Sequence, residues 1–275
     1  MLLTLRDKSM GGRKARIVKM VGVLALLTLA LPQNVNAAPP PLGYVAQAQA
    51  ALDPLSQALK DVSLQNYKAA LPALQQYANT DQVKAIFVLA NLYLNGQGVE
   101  KSQEKAAELY RKAAGLGFSP AQYALGGLYE NGWGVKADLA SAMQWYGRAA
   151  AQDSPAACFR LGKLLLQRAQ TALTSGGAAA NPARDNAKDA FAWITHASQL
   201  GYPQAHYERG VMLWQGTGIE RDKVEAYRWI VTAAQAGVPE ARQLADQIVT
   251  SLSGMERSEA LARVRTSWQT QQKSP

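Results

Sequence analysis

Apolar and polar residues alternate along this chain in a helical rhythm. In AQYALGGLY, residues 121–129, Ala121, Ala124, Leu125 and Leu128 fall at i, i+3, i+4 and i+7, one face of a helix. The run stops at two glycines in LYENGWGVKAD, residues 128–138, and a second apolar run follows. The pattern then returns. LYLNGQGVEKS stands at 92–102 and LWQGTGIERD at 213–222. LYRKAAGLG (109–117), WYGRAAAQD (145–153), WITHASQLG (193–201) and WIVTAAQAG (229–237) share a second frame. Ala85, Ala121, Ala157, Ala205 and Ala241 step by 36, 36, 48 and 36 residues. A fixed period of this size is the mark of stacked repeats.

Each unit reads as two helices joined by the glycine turn. The first helix begins near the stepping alanine. The second is expected to start at Ser102, Asp138, Asn186 and Asp222, residues whose side-chain oxygen accepts a bond from a free helix-start amide. Asp222 and Glu225 have the spacing of a capping box. Asn66, one period before Ser102, extends the phase into NYKAALPALQQYA, where Pro72 predicts a kink. The glycines could instead cradle phosphate, but that use needs a strand before them and an uncapped helix start after them. Here a helix precedes and Asp138 follows, so Gly132 is expected to close a helix in the left-handed conformation and Gly134 to reverse the chain.

Two stretches depart from the period. The third unit is 12 residues longer, and QRAQTALTSGGAAANPARDN (167–186) replaces its turn. This predicts a lengthened first helix and then a loop around 175–183. After the last unit, Ala241, Leu244, Ala245, Ile248 and Val249 keep helical spacing, and Leu261, Val264 and Trp268 follow at i, i+3 and i+7. These read as capping helices with a frayed tail.

Charge and composition narrow the picture. The net charge of +9 in 275 residues hints at nucleic acid, but residues 1–37 carry +5 of it, from six Lys and Arg against Asp7. The balanced remainder argues against a phosphate-binding surface. The basic start leads into MVGVLALLTLAL (20–31), too short to span a bilayer, and VNA at 35–37 offers a signal-peptidase site. A secretory signal peptide cleaved after Ala37 is expected, placing the protein in the periplasm or outside the cell with no stable membrane insertion. An uncleaved anchor is the alternative. Residues 38–47 form a Pro-rich lead-in and 48–84 a degenerate helical unit. Four repeats follow at 85–120, 121–156, 157–204 and 205–240, with capping helices and tail over 241–275. Cys158, the single cysteine, can form no disulfide within the chain and reads as a small core residue.

The quoted residues resemble the Sel-one-like repeat family, a relative of the tetratricopeptide repeats. Leu125, Gly126, Tyr129, Gly132, Gly134, Val135, Asp138, Ala142, Trp145, Tyr146, Ala149 and Ala150 carry the likeness, which covers about residues 66–240. With the repeat pattern it implies an all-α protein: a right-handed α/α-solenoid of stacked helix pairs with a C-terminal helical cap. The resemblance further implies an adaptor, since secreted bacterial members tend to bind envelope proteins or regulate assemblies there. Some members carry a cysteine pair in each repeat and are linked to binding penicillin-like compounds; this chain lacks those pairs.

Little in the sequence points to catalysis. The only histidines are His196 and His206, and no metalloprotease, paired-cysteine or nucleophile-elbow motif occurs. Cys158 and His206 do hold the same position in consecutive units. Glu104, Glu108 and Asp153 read as solvated faces. No cofactor, metal or catalytic residue is expected. Recognition is sought where units differ. The residue after the stepping alanine is Ile86, Gln122, Cys158 and then His206; the residue between the turn glycines is Gln97, Trp133 and then Thr217. Trp133, Trp214, Gln122, His206, Arg160 and Arg209 are the partner-binding candidates. The expected function is a non-catalytic periplasmic adaptor for another envelope protein or an extended peptide, of unknown oligomeric state. The alternatives are an envelope enzyme acting on peptidoglycan or β-lactams, and a nucleic-acid binder.

Overall fold

The computed structural model describes residues 53–174 and 180–271, with side chains except at 180–182 and 267–271. The expected signal peptide and lead-in, the Trp268 side chain and the last four residues lie outside that description. Among the described residues there are twelve helices and no strand. They are α1 (Pro54–Ser63), α2 (Tyr67–Asn79), α3 (Val83–Asn95), α4 (Gln103–Gly115), α5 (Ser119–Asn131) and α6 (Leu139–Ala150). Then come α7 (Pro155–Thr174), α8 (Ala180–Gln199), α9 (Pro203–Gln215), α10 (Lys223–Gln235), α11 (Ala241–Ser251) and α12 (Gly254–Gln271). From α1 to α11 each helix packs on the next, and α12 returns to pack on α10. This is a stack of helix pairs, the all-helical solenoid that the repeat pattern implies.

The recurring small residues lie at the contacts. All five stepping alanines are fully buried. Gly126, Gly162 and Gly210, one per unit, let the two helices of a pair touch: a Cβ at Gly162 would lie 2.6 Å from Ile194 Cγ1. Ring contacts recur between the small residues. Phe87 packs on Tyr110 and Phe118, Tyr123 on Tyr146, and Phe159 on Tyr202. No unit holds a closed core of its own, so burial is shared between neighbours.

The turns have a common build. Gly96, Gly132 and Gly216 cap their helices in the left-handed conformation, with φ of 71°, 73° and 76°. The amides of Ser102, Asp138 and Asp222 close each turn on the carbonyls of Tyr93, Tyr129 and Leu213, at 2.9–3.0 Å. Those three side chains then cap α4, α6 and α10 by accepting from Lys105, Ala140 and Glu225 amides. The second glycines turn the chain and also make an inter-unit contact. A Cβ on Gly134 would lie 2.1 Å from Gln103 O, at the start of the preceding unit's second helix.

Several expectations need correction. Asn186 caps nothing, because α8 has already begun at Ala180. The expected loop over 175–183 is helical from 180 onward; 175–179 lie outside the described residues. Both α7 and α8 are 20 residues long, against 13 in α5 and α10. Asp222 and Glu225 make half a capping box, since the Glu225 carboxylate turns to Arg228, Trp229 and Arg263 instead. Asn66 precedes α2 without a side-chain cap, and Pro72 lies inside α2. On α12 the buried face is Ala260 and Val264, while Leu261 is 47% exposed. Val264 is thus buried as expected, and Ala260 takes the place of Leu261 where α12 packs back on α10. Asp153 is on a solvated face as expected, with His196 Nε2 2.8 Å from its Oδ1.

Candidate protein-binding surface

The first helices of three successive units, α5, α7 and α9, line a groove of about 370 Å³. On α7, Arg160, Lys163, Gln167 and Gln170 fall at i, i+3, i+7 and i+10 and present one polar stripe to it. The stripe is tied on both sides. Arg160 pairs with Glu130 at the end of α5, and Lys163 pairs with Glu208 on α9. Tyr146 OH also donates to Glu130 Oε2 at 2.7 Å. The bond to Glu130 holds the Arg160 guanidinium firmly protonated, and burial followed by Glu130 pushes the Tyr146 phenol up. The groove therefore balances its own charge. Its remaining polar side chains are those of Gln167, Gln170, Gln215 and Thr217, over a floor that includes Leu164 and Met212.

Of the six candidate residues, Arg160 lines this groove. Trp133 is 47% exposed at its turn. Trp214 is half-buried in the last core cluster, with the Arg221 guanidinium 4.6 Å from its ring centre. Arg209 and Arg228 both lie 4.1 Å from the centre of the Trp229 ring. Arg209 Nε is buried with no hydrogen-bond partner among the described residues, and burial lowers the affinity of the guanidinium for its proton.

Gln122 and His206 sit at one register position with Cys158, and all three reach back eight residues to the end of the preceding second helix. Gln122, 5% exposed, donates from Nε2 to Ala114 O at 3.2 Å and accepts from Gln152 at 2.8 Å. Cys158 Sγ lies 3.8 Å from Ala150 O. His206 Nδ1 lies 2.9 Å from Ser198 Oγ, and its ring stacks on Trp229 at 5.4 Å. Burial, then the charges of Arg209 and Arg228, lowers the His206 pKa; burial raises that of the Cys158 thiol to about 11. These three variable residues fasten one unit to the next. Cys158 and His206, aligned in sequence, each bond locally. Among the described residues no cluster of three or more His, Cys, Asp or Glu side chains could hold a metal ion.

The sequence reading missed Glu130, Lys163, Glu208 and the glutamines of the groove. The i, i+3, i+7, i+10 stripe on α7 was the available signal. The ion pairs themselves span 30 and 45 residues and have no local signature.

The geometry defines a helical-repeat protein of stacked pairs. A family model described as Sel1 repeat matches residues 83–118, 119–154 and 203–238, so the chain carries three Sel1 repeats. A solved Sel1 repeat protein from Oxalobacter formigenes is 26% identical, with 78% of this chain and 84% of that one covered and a TM-score of 0.63. A protective antigen present in uropathogenic Escherichia coli strains, displaying an SLR fold, is 24% identical over 76% of this chain and 52% of that one, with a TM-score of 0.43. No curated protein matches the chain. Sel1-repeat proteins generally mediate protein–protein interaction, and the fold is typically a non-catalytic scaffold. Among the described residues no helix is long and apolar enough to cross a membrane.

Proposed function

We propose that the protein is an exported, non-catalytic periplasmic adaptor that binds an extended segment of another envelope protein in the groove of α5, α7 and α9. The groove itself is the observation that carries this reading. Three helices side by side at about 10 Å spacing span about 20 Å, which an extended segment of about six residues crosses. Carboxamides on α7 and α9 match the donors and acceptors of such a backbone, and the floor takes apolar side chains. Trp133 offers a further aromatic contact.

The test is a photo-crosslinking amino acid placed at Gln170, in the groove, and at Arg148, exposed on α6, in cells that export the chain. A discrete adduct with one envelope protein is expected at Gln170 and not at Arg148. Equal labelling at the two positions, or none at Gln170, would overturn the groove as the binding site.

A further inference from the structure

In this molecule the position just after the aligned cap residue of each second helix is normally covered. The backbone of Gly98 lies against Tyr67 of α2, that of Gly134 against Gln103 of α4, and that of Gly218 against Ala187 of α8. A Cβ on Gly218 would lie 2.1 Å from Ala187 O, so the seating is backbone against backbone. The start of α10 is covered by α12, whose Arg263 reaches Glu225 at 3.2 Å. The register equivalent on α6 is Leu139. The turn that would seat there belongs to the third unit, where α7 continues as helix and replaces it. Leu139 is accordingly 48% exposed. With Ala140 and Met143 it forms one wall of an apolar pocket of about 330 Å³, and Leu164, Arg168 and Thr171 of α7 stand opposite. Arg168 has no ion pair among the described residues.

We infer that this pocket is an open socket for a glycine turn supplied by another protein. The equivalent places in the same chain show what fits. Each takes a glycine backbone at the same register position of its second helix, followed by a branched aliphatic residue: Val99, Val135 or Ile219. Val99 and Val135 pack into the adjoining core clusters. An acidic residue follows within three positions in every case, Glu100, Asp138 and Glu220, which suits the unpaired Arg168. A second copy of this chain is a poor donor, because the three glycine turns among its described residues are seated in itself. The occupant is a heterologous loop with glycine, then valine or isoleucine, then an acid. The socket does not depend on the groove reading.

The probe is the chain's own turn, NGWGVKAD (131–138), cyclised and labelled with fluorescein, titrated into the purified protein. Saturable binding is expected, weakened about tenfold or more by Leu139→Glu. A probe with alanine at its second glycine is expected to weaken equally, while Gln170→Ala, in the groove, leaves binding unchanged. No saturable binding up to the millimolar range, or equal binding by a folded Leu139→Glu variant, would refute the socket. Should Leu139→Glu fail to fold, a benzophenone amino acid at Thr171 gives the second readout. An adduct competed by unlabelled probe supports the socket, and no adduct refutes it.

Discussion

Gly134 shows how much one residue can carry. Its φ of 66° disfavours any side chain, and the Gln103 carbonyl occupies the place a Cβ would take. Gly132 carries only the first constraint, with the nearest atom to its missing Cβ being Ala137 Cβ at 3.3 Å. Gly134→Ala is therefore expected to cost about 2–4 kcal/mol, from strain plus overpacking, and Gly132→Ala about 1 kcal/mol. Urea unfolding of the two variants measures the difference; equal costs would mean that the inter-unit contact contributes nothing. His206 predicts a pH effect. Its folded pKa is depressed, so between that value and the ordinary 6.5 the unfolded chain binds the extra proton. Stability is complete above about pH 6.5 and falls as pH drops below it. His206→Gln should flatten that slope, read as Tm against pH. None of this reach-back bonding was legible in the sequence. That Gln122, Cys158 and His206 vary suggested recognition, whereas the variation is in how each one bonds a helix end eight residues behind it.

At the scale of the element, the repeats were legible because their signals are local. Stepping alanines, cap residues and glycine turns lie within one or two helical turns of each other. The third unit misled for the same reason. Asn186 occupies the aligned cap position, but the buried series Ala183, Ala187, Ala190 and Ile194 runs straight through it. That series was readable, and it outweighs a single cap residue worth about 1 kcal/mol. The groove was harder to see, since its ion pairs join different units. Glu130 and Arg160 are expected to be coupled by about 1 kcal/mol, as Glu130 is largely buried while Arg160 is partly solvated. A double-mutant cycle with Glu130→Gln and Arg160→Gln measures this, and a coupling near zero would mean that the link does not brace the groove.

For the molecule as a whole, stability is a chain of nearest-neighbour contacts, so a defect in one unit is felt mainly by the two beside it. That makes the long hairpin of α7 and α8 tolerable. Relative to the thirteen-residue helices, seven residues were added to each limb and two were taken from the link. Seven residues are nearly two full turns, a drift of only about 20°. Growth by one heptad on each side thus leaves every apolar face aimed where it was. Natural insertions and deletions at this tip should accordingly come in matched heptads. A chain trimmed by seven residues on both limbs should keep its Tm, while one trimmed by three or four on a single limb should lower it, both read by circular dichroism.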